Sequence, residues 1–244
     1  MGKINTAVIL VAGMGKRLYE ITNDEIPKGF ICINEKTLIE RSISKLRQAG
    51  IKKIYLVTGH LGNFYDKLCE KEVDLYVKRN DKYITTGSMA SLATLKNLIV
   101  DDFLLLEGDL IYEIKALKDA IEYASDDCVI ISNLTNSGDE CYIEIKNNNL
   151  YKISKIKEEI KNIYGELVGI SKISLNLYRE MIKQFNKSKM QKCDYEYILF
   201  DVAKMRKIGY LKIENLIWSE IDNKEHLKRV KEYIIPRLYV NGEE

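Results

Sequence analysis

The chain has 244 residues, 46% of them hydrophobic, which is enough for one sizeable core or two small ones. Its 38 basic and 36 acidic residues are spread along the whole chain and leave a formal net charge of +2. Because no long stretch carries a single sign, the sequence argues against nucleic acid or an anionic membrane surface as a partner. We therefore expect any nucleotide that binds here to be a small molecule.

Cysteine spacing and hydropathy predict the compartment. Five cysteines are scattered along the chain and never spaced as C-x-x-C, which argues against both a disulfide framework and a zinc site. The apolar run at residues 7–12 is too short for a signal-peptide core or a membrane span. We therefore expect a protein of the reducing cytoplasm that does not enter a membrane.

The first half of the chain alternates short apolar runs with amphipathic stretches. In chain order these segments are residues 7–12, 38–49, 54–58, 64–69, 75–77, 88–98 and 103–106. Continuous apolar strands separated by helical patterns indicate βαβ units. The expected fold class is therefore α/β, with a mostly parallel central sheet covered by helices on both faces.

The second half has a different pattern. Runs at 141–145 and 150–154 flank three asparagines at 147–149, residues that tolerate the left-handed conformation of a hairpin turn. We expect this hairpin to form a small antiparallel insertion over the carboxyl edge of the sheet. Further segments are predicted as helices at 175–186, 195–205 and 224–235 and as strands at 211–213 and 216–221. No Gly/Ser-rich linker divides the chain, so a single domain over 1–244 is expected.

A glycine-rich loop follows the first predicted strand. Gly13 and Gly15 allow backbone amides to approach phosphate oxygens closely, while Arg17 and Lys28 supply positive charge. A P-loop needs a glycine at position 10 and the dinucleotide-binding fingerprint needs one at position 18, but the chain has leucine at both. The pattern G-x-G alone is more often a turn with solvated lysines. The added arginine and the Pro-Lys pair at 27–28 favour phosphate binding.

The pattern L-x-A-G-x-G-x-R-L followed by P-K resembles the sugar-phosphate and alkylamine-phosphate nucleotidyltransferases. The residues on the motif positions are Leu10, Ala12, Gly13, Gly15, Arg17, Pro27 and Lys28. Within that family, segments 85–91, 107–113 and 164–172 are most similar to the 2-aminoethylphosphonate cytidylyltransferases, and phosphocholine cytidylyltransferases share the loop. The resemblance implies a Rossmann-like fold, nucleotide binding through Leu10, Ala12, Gly13 and Gly15, and an acceptor-side insertion at 133–172.

Three carboxylates are candidates for a Mg²⁺ site. Asp109 comes just after the apolar run 103–106, at the carboxyl edge of a parallel strand, where ligand sites of such sheets lie. A turn aspartate is the alternative. Glu220 and Asp222 lie two residues apart on an extended segment, so both face the same side. Asp222 with Glu225 also matches a helix capping box, which needs no metal. The resemblance favours the metal, because that family has an acidic pair before a C-terminal helix.

The segment around Ser88 and Ser91 opens a predicted helix. Hydroxyl and backbone groups there can hydrogen-bond a pyrimidine edge, and the resemblance assigns this segment to base recognition. Helix capping by Thr86 or Ser88 is the alternative.

Lys155 matches an acceptor-side lysine of the family, whereas an exposed lysine in 152–161 is more often solvated surface. The two histidines, His60 and His226, fall in no motif, and we expect both to be structural.

The kind of ammonium group on the acceptor determines which side chains can bind it. A primary ammonium requires carboxylate or carbonyl acceptors, and Asp139, Glu140 and Glu166 lie in the segment expected to cover it. A quaternary ammonium requires aromatic faces, and the same half contains Tyr142, Tyr164, Tyr195 and Tyr197. With 16 tyrosines in the chain, those four are weak support for an aromatic cage, so the primary amine is favoured, with Glu166 as its first contact.

The resulting hypothesis is a Mg²⁺-dependent transfer of a cytidylyl group from CTP to 2-aminoethylphosphonate, with release of pyrophosphate. Phosphocholine or phosphoethanolamine as the acceptor is the first alternative. A non-catalytic module that senses nucleotides is the second, since related folds can keep a binding loop and lose the reaction. No sequence feature indicates the oligomeric state.

Overall fold

The computed structural model describes residues 4–243. Its strands are β1 (Thr6–Val11), β2 (Cys32–Ile33), β3 (Lys36–Thr37), β4 (Lys53–Thr58), β5 (Leu75–Arg79), β6 (Phe103–Glu107), β7 (Leu110–Tyr112), β8 (Cys128–Ser132), β9 (Tyr142–Lys146), β10 (Asn149–Ser154), β11 (Gly165–Ile173), β12 (Tyr210–Ile213) and β13 (Trp218–Glu220). Its helices are α1 (Tyr19–Thr22), α2 (Leu38–Gln48), α3 (Asn63–Cys69), α4 (Ser88–Ala93), α5 (Lys115–Glu122), α6 (Leu175–Ser188), α7 (Tyr195–Ala203), α8 (Lys224–Arg229) and α9 (Ile235–Val240).

Nine of these strands form the central sheet. Strands β5, β4, β1 and β6 are parallel neighbours in that order, and β11 joins β6 in the antiparallel direction. Strand β8 pairs with the other edge of β11, and β12 runs parallel to β8. The predicted α/β class with a mostly parallel sheet is therefore confirmed, and β11 is the strand that interrupts the parallel order.

Helices cover both faces of the sheet because β1 is apolar on both sides. Val8 belongs to a core that also contains Met89 of α4 and Ile198 of α7, whereas Ile9 belongs to a second core with Ile39 of α2. Alternate residues of a strand point to opposite faces of the sheet, so a strand with a continuous apolar run must be covered on both faces. All six residues of β1 except Leu10 are buried.

The predicted hairpin is present as β9 and β10. Asn147 and Asn148 form its turn, with φ angles of 52° and 53°. The hairpin continues the central sheet, because β9 pairs with the start of β11 at Gly165 and Glu166. The division of the chain into one domain with an acceptor-side insertion at 133–172 stays a prediction, and part of that segment is the central strand β11.

Three predicted elements differ from the structure in extent. The helix predicted at 88–98 ends at Ala93, where turns replace it. The strand predicted at 216–221 is the three-residue β13, which pairs with β7 outside the central sheet. The final helix is longer than predicted, since a π-helical turn at Val230–Ile234 connects α8 to α9 and the helix continues to Val240.

Candidate active site

A cleft of about 470 Å³ opens at the carboxyl ends of β1 and β6. In open α/β sheets ligands bind at this edge, where loops from neighbouring strands meet. The sequence-predicted residues that line it are Leu10, Ala12, Gly13, Gly15, Arg17, Lys28, Ser88, Ser91, Asp109, Lys155, Glu220 and Asp222. We refer to this cavity as the main cleft. The structure thus brings together predicted residues that are up to 212 positions apart in the sequence, from Leu10 to Asp222.

The glycine-rich loop forms one wall of the main cleft. Gly15 has a φ angle of 61°, a left-handed conformation that glycine adopts without strain, and the turn of Lys16–Leu18 begins directly after it. The loop is joined to the neighbouring strand end because the amide of Gly108 donates to the carbonyl of Leu10 at 3.0 Å. This bond places Asp109 beside the loop.

Ion pairs connect the two predicted cations with three carboxylates. The Nζ atom of Lys28 lies 2.6 Å from Oδ2 of Asp109 and also contacts Oδ1 of Asp222. The guanidinium of Arg17 donates to Asp222 and to Asp139, at 2.7 Å in each case. The cations expected to hold phosphate are therefore paired with carboxylates, two of which are expected to hold the metal.

Burial and these pairs together determine the protonation of the site. Burial lowers the pKa of Lys28, but Asp109 and Asp222 outweigh it, so the net pKa lies above its ordinary value. Burial raises the pKa of Asp222, but Lys28 and Arg17 outweigh it and hold that pKa below its usual range. Lys28 and Asp222 are thus a charged pair at neutral pH. Glu220 differs, since burial and the charges of Asp222 and Asp109 raise its pKa to about 8.

The acidic residues fit a divalent cation. Oδ1 of Asp109 and Oε1 of Glu220 are buried and have no hydrogen-bond partner. Oxygens of Asp139, Glu220 and Asp222 lie within 4.8 Å of one another, close enough to share one ion. An unpaired buried carboxylate oxygen is costly unless a cation compensates it, and carboxylate oxygens are the protein ligands that Mg²⁺ uses. Asp139, which the sequence assigned to the acceptor, thus joins the predicted metal residues Glu220 and Asp222.

The capping-box interpretation of Asp222 is wrong. Asn223 is the N-cap of α8, and its side chain accepts from the amide of His226. Because the cap begins one residue later, the Asp222 carboxylate is free to bind Lys28 and Arg17.

The two histidines lie outside the main cleft. His226 is 1% exposed and its Nδ1 accepts from the amide of Asp222 at 3.3 Å. His60 pairs with Asp24 at 2.6 Å, and neither histidine lines the main cleft.

The wall opposite the glycine-rich loop is formed by α4. The Ser91 hydroxyl accepts from the side-chain amide of Asn80 at 2.9 Å, and Ser88 is bonded to the segment before α7. Capping of α4 by Thr86 or Ser88 is not what the structure shows. The N-cap residue is Gly87, which has no side chain, and the carboxylate of Asp194 accepts from the Ser88 amide instead.

A smaller cavity of about 40 Å³ adjoins the main cleft. It is lined by five carboxylates from four separate elements and the loop between β8 and β9, namely Glu107, Asp139, Glu166, Glu196 and Glu220. We call it the acidic cavity. Lys155 lines both cavities, and its Nζ lies 3.5 Å from Oδ1 of Asp139. Burial and the charge of Asp109 raise the pKa of Glu107 well above its ordinary value. Among the described residues that line it, the acidic cavity thus places five carboxyl groups beside one cation, and a bound cation would favour their ionised form.

Two predicted acceptor residues have other partners. Glu166 lines the acidic cavity but is 2% exposed, and its carboxylate accepts from the amide and hydroxyl of Thr135 at 2.7 and 3.1 Å. Glu140 lines neither cavity. Its carboxylate accepts from the amide of Gly138 and the hydroxyl of Tyr142, so the expected position of Glu140 at the acceptor is corrected.

Three acidic residues of the site belong to no predicted set of site residues. Glu107 ends β6 two residues before Asp109, and its Oε1 accepts from the Tyr195 hydroxyl at 2.9 Å. Asp194 and Glu196 flank Tyr195 at the start of α7. Glu107 could have been recognised as a charged residue that closes an apolar strand. The other two show no such signal, because only the packing of α7 brings them to the cleft.

The tyrosines do not form a cage around the acidic cavity. Tyr164 packs edge-on against Tyr210 with ring centroids 5.5 Å apart, and Tyr142 bonds to Glu140. Tyr195 is 2% exposed and holds Glu107. Among the residues that line the acidic cavity in the described part of the chain, Trp218 is the single aromatic side chain.

Two curated relatives match part of the chain. The bifunctional protein GlmU of Methanococcus maripaludis strain S2 is 35% identical over 179 residues, covering 71% of this chain and 39% of the relative. The choline-phosphate cytidylyltransferase of Streptococcus pneumoniae strain R6 is 34% identical over 99 residues, covering 41% of this chain and 42% of the relative. In both alignments the chain spans about two fifths of the relative's length.

Solved structures share the fold over nearly the whole chain. The inositol-1-phosphate CTP transferase from T. maritima superimposes with a TM-score of 0.79 at 20% identity, covering 96% of this chain and 98% of that one. The CTP:phosphocholine cytidylyltransferase LicC from Streptococcus pneumoniae gives 0.78 at 21% identity, covering 94% and 99%. In the described residues 4–243, no helix is long and apolar enough to cross a membrane. A family model described as nucleotidyl transferase matches residues 6–159, and the chain belongs to that family.

Proposed function

We propose that this enzyme transfers a cytidylyl group from CTP to 2-aminoethylphosphonate and releases pyrophosphate, with Mg²⁺ as its cofactor. The observation that carries the proposal is the junction of two cavities of opposite character. The main cleft presents Arg17 and Lys28, as a triphosphate requires, and the acidic cavity beside it presents carboxylates, as an ammonium requires. Lys155 stands where they meet, in position for the phosphonate.

Support for CTP comes from the neighbours. Two solved structures with this fold are described as CTP-dependent transferases, and a curated relative at 34% identity is a choline-phosphate cytidylyltransferase. In our proposal the pyrimidine lies against α4, where Ser88 and Ser91 line the cleft, and the phosphates lie on the glycine-rich loop. The ion pairs of Arg17 and Lys28 with Asp222 open when the triphosphate takes the place of the carboxylate.

The proposed reaction is an in-line displacement at the α-phosphorus. A phosphonate oxygen forms a bond to this phosphorus while the bond to the bridging oxygen of the β-phosphate breaks, and pyrophosphate leaves. No general base is required, because the phosphonate is already ionised at neutral pH. Arg17 and Lys28 hold the phosphates and Lys155 orients the phosphonate, so the protein contributes positioning and charge neutralisation.

Mg²⁺ fits the carboxylates described above. Asp109, Glu220 and Asp222 would hold it, with Asp139 as an additional ligand, since these residues supply the unpaired and clustered oxygens. When bound, the ion supplies Lewis-acid neutralisation of the triphosphate charge.

The acceptor's amine is proposed to be primary. An ammonium with three N–H donors can use several carboxylates, whereas a trimethylated amine offers none and requires aromatic faces. The acidic cavity has five carboxylates and one aromatic residue. Phosphocholine is therefore the less favoured acceptor. Phosphoethanolamine has the same ammonium as 2-aminoethylphosphonate and differs from it only by the oxygen between carbon and phosphorus.

Pyrophosphate release tests the proposed reaction. The enzyme is supplied with Mg²⁺, 2-aminoethylphosphonate and one of CTP, UTP, ATP or dTTP, and each reaction is repeated without acceptor. We expect acceptor-dependent release with CTP at a kcat/KM at least about tenfold above that of the other nucleotides, which corresponds to about 1.4 kcal/mol. Nucleotide binding without release under all conditions would instead favour a sensing module.

A further inference from the structure

Helices α4 and α7 cap each other's N-termini. Neither helix is capped by the side chain of its own N-cap residue, which is Gly87 for α4 and Asp194 for α7. Instead, Oδ1 of Asp194 accepts from the amide and hydroxyl of Ser88 at 3.1 and 3.2 Å. In return, Oγ of Ser88 accepts from the amide of Tyr195 at 2.9 Å. Each helix thus supplies the acceptor that the other helix lacks.

Backbone contacts make this junction tight. The amide of Gly87 donates to the carbonyl of Gln191 at 3.1 Å, and the amide of Met89 donates to the carbonyl of Cys193 at 3.2 Å. A Cβ atom on Gly87 would lie 2.2 Å from the Cys193 oxygen, so only glycine fits. The start of α4 and the segment before α7 therefore move as one unit.

Both helices line the main cleft, and α7 also reaches the acidic cavity. Ser88 and Ser91 of α4 line the main cleft, where the nucleotide is proposed to bind. The first turn of α7 carries Glu196, which lines both cavities, and Tyr195, whose hydroxyl donates to Glu107 at 2.9 Å. Two hydrogen bonds therefore link Ser88 to Glu107 through Tyr195, one from its amide to Ser88 and one from its hydroxyl to Glu107.

We propose that Ser88 and Asp194 are positioning residues that couple nucleotide binding on α4 to the arrangement of the acceptor carboxylates Glu107 and Glu196. This inference rests on the proposed function for the identity of the two substrates. A nucleotide that orders α4 also orders the first turn of α7, because the mutual cap joins them. The acceptor cavity is therefore best formed when nucleotide is bound.

Ser91 provides a matched control. It is the same residue type on the same helix and lines the same cleft, but its hydroxyl bonds to Asn80 and not to α7. Ser91→Ala is expected to change the KM for CTP alone. Ser88→Ala is expected to raise the KM for 2-aminoethylphosphonate as well, by about fivefold, as for the loss of one ordinary hydrogen bond. Ser88→Thr, which keeps the hydroxyl, restores the wild-type KM.

Hydrogen exchange of a peptide spanning 194–203, with and without CTP and Mg²⁺, tests the coupling without any acceptor. We expect CTP to slow exchange of this peptide in wild type and in Ser91→Ala but not in Ser88→Ala at saturating CTP. Equal protection in Ser88→Ala, or no protection in wild type, overturns the inference. So does a Ser88→Ala enzyme whose acceptor KM is unchanged. If wild type fails to use 2-aminoethylphosphonate, the proposed function fails, while the exchange comparison still decides the coupling.

Discussion

The nucleotide side of the main cleft comes largely from one stretch of chain, residues 10–28, whereas the acidic cavity draws five carboxylates from four separate elements and one loop. On the nucleotide side the cations are paired, and Lys28 keeps its charge between Asp109 and Asp222. In the acidic cavity, Lys155 is the one cation among the described lining residues, beside five carboxyl groups. A phosphate-binding loop can thus be local in sequence, while the selection of an acceptor depends on the tertiary fold.

The largest expected effect is at the metal residues, which both sides share. Asp109→Asn should lower kcat/KM by about 10²- to 10³-fold, as for the removal of one preorganised electrostatic group. The variant should fold normally, since Asp109 lies at the rim of the sheet. Steady-state rates at saturating Mg²⁺ measure this, with the exposed Asp126→Asn as control. Turnover within threefold of wild type would show that Asp109 is only a turn residue.

A change confined to the nucleotide side comes next. Lys28→Ala should reduce kcat/KM for CTP by about ten- to a hundredfold, since a charge-assisted contact contributes about 1.5–3 kcal/mol. The KM for the acceptor should change much less. The control is Lys78→Ala, which removes an exposed lysine of β5. If kcat/KM for CTP falls less than about threefold, Lys28 is not a phosphate contact.

A change confined to the acceptor side should affect the KM for the acceptor more than the KM for CTP. Glu196→Gln removes an ionisable carboxyl group from the acidic cavity. At pH 8, above the pKa of about 7 that burial gives Glu196, we expect the KM for 2-aminoethylphosphonate to rise about tenfold and the KM for CTP to change much less. Initial rates with each substrate varied in turn separate the two constants. Glu122→Gln on the exposed end of α5 is the control. Equal KM values for the acceptor in variant and wild type would remove Glu196 from the proposed binding site.

The smallest expected effect is a change in the pH dependence of stability when Glu166 is replaced. Burial raises the pKa of Glu166 to about 7, above its unfolded value, although the bonds from Thr135 oppose this rise. The group's contribution to stability is therefore present below pH 4.5 and is lost as pH increases through 7. Glu166→Gln cannot ionise, so its stability relative to wild type should increase by about 1–3 kcal/mol from pH 5 to pH 8. Urea unfolding at both pH values measures this difference, and a difference that is independent of pH contradicts it.

The elements that the sequence predicted correctly are those with a strong local pattern. Strand β1 and helix α2 match their predicted positions within one residue, because one has a continuous apolar run and the other has a capping box between Thr37 and Glu40. Strand β11 was not assigned. It runs antiparallel between two strands of a parallel sheet, and its pairing with β6 and β8 comes from tertiary contacts that no local pattern reports.

Site residues in a local motif were likewise predicted more accurately than those that tertiary packing brings together. The residues at 10–28 form a contiguous motif, and all of the predicted nucleotide residues line the main cleft. The acceptor predictions were less accurate because a carboxylate's partners cannot be read from its neighbours in sequence. Glu140 bonds within its own loop, while Glu107 and Glu196, for which the sequence predicted no role, line both cavities.

The most direct test of the proposed function is a comparison of acceptors with CTP and Mg²⁺ held at saturation. The kcat/KM values for 2-aminoethylphosphonate, phosphoethanolamine and phosphocholine are measured under identical conditions. The carboxylates of the acidic cavity predict that both primary amines exceed phosphocholine by at least about tenfold, because a quaternary ammonium donates no hydrogen bond. The proposed function in addition requires that 2-aminoethylphosphonate gives the highest value of the three. If phosphocholine is instead the best of the three acceptors, the carboxylate account of acceptor recognition is wrong.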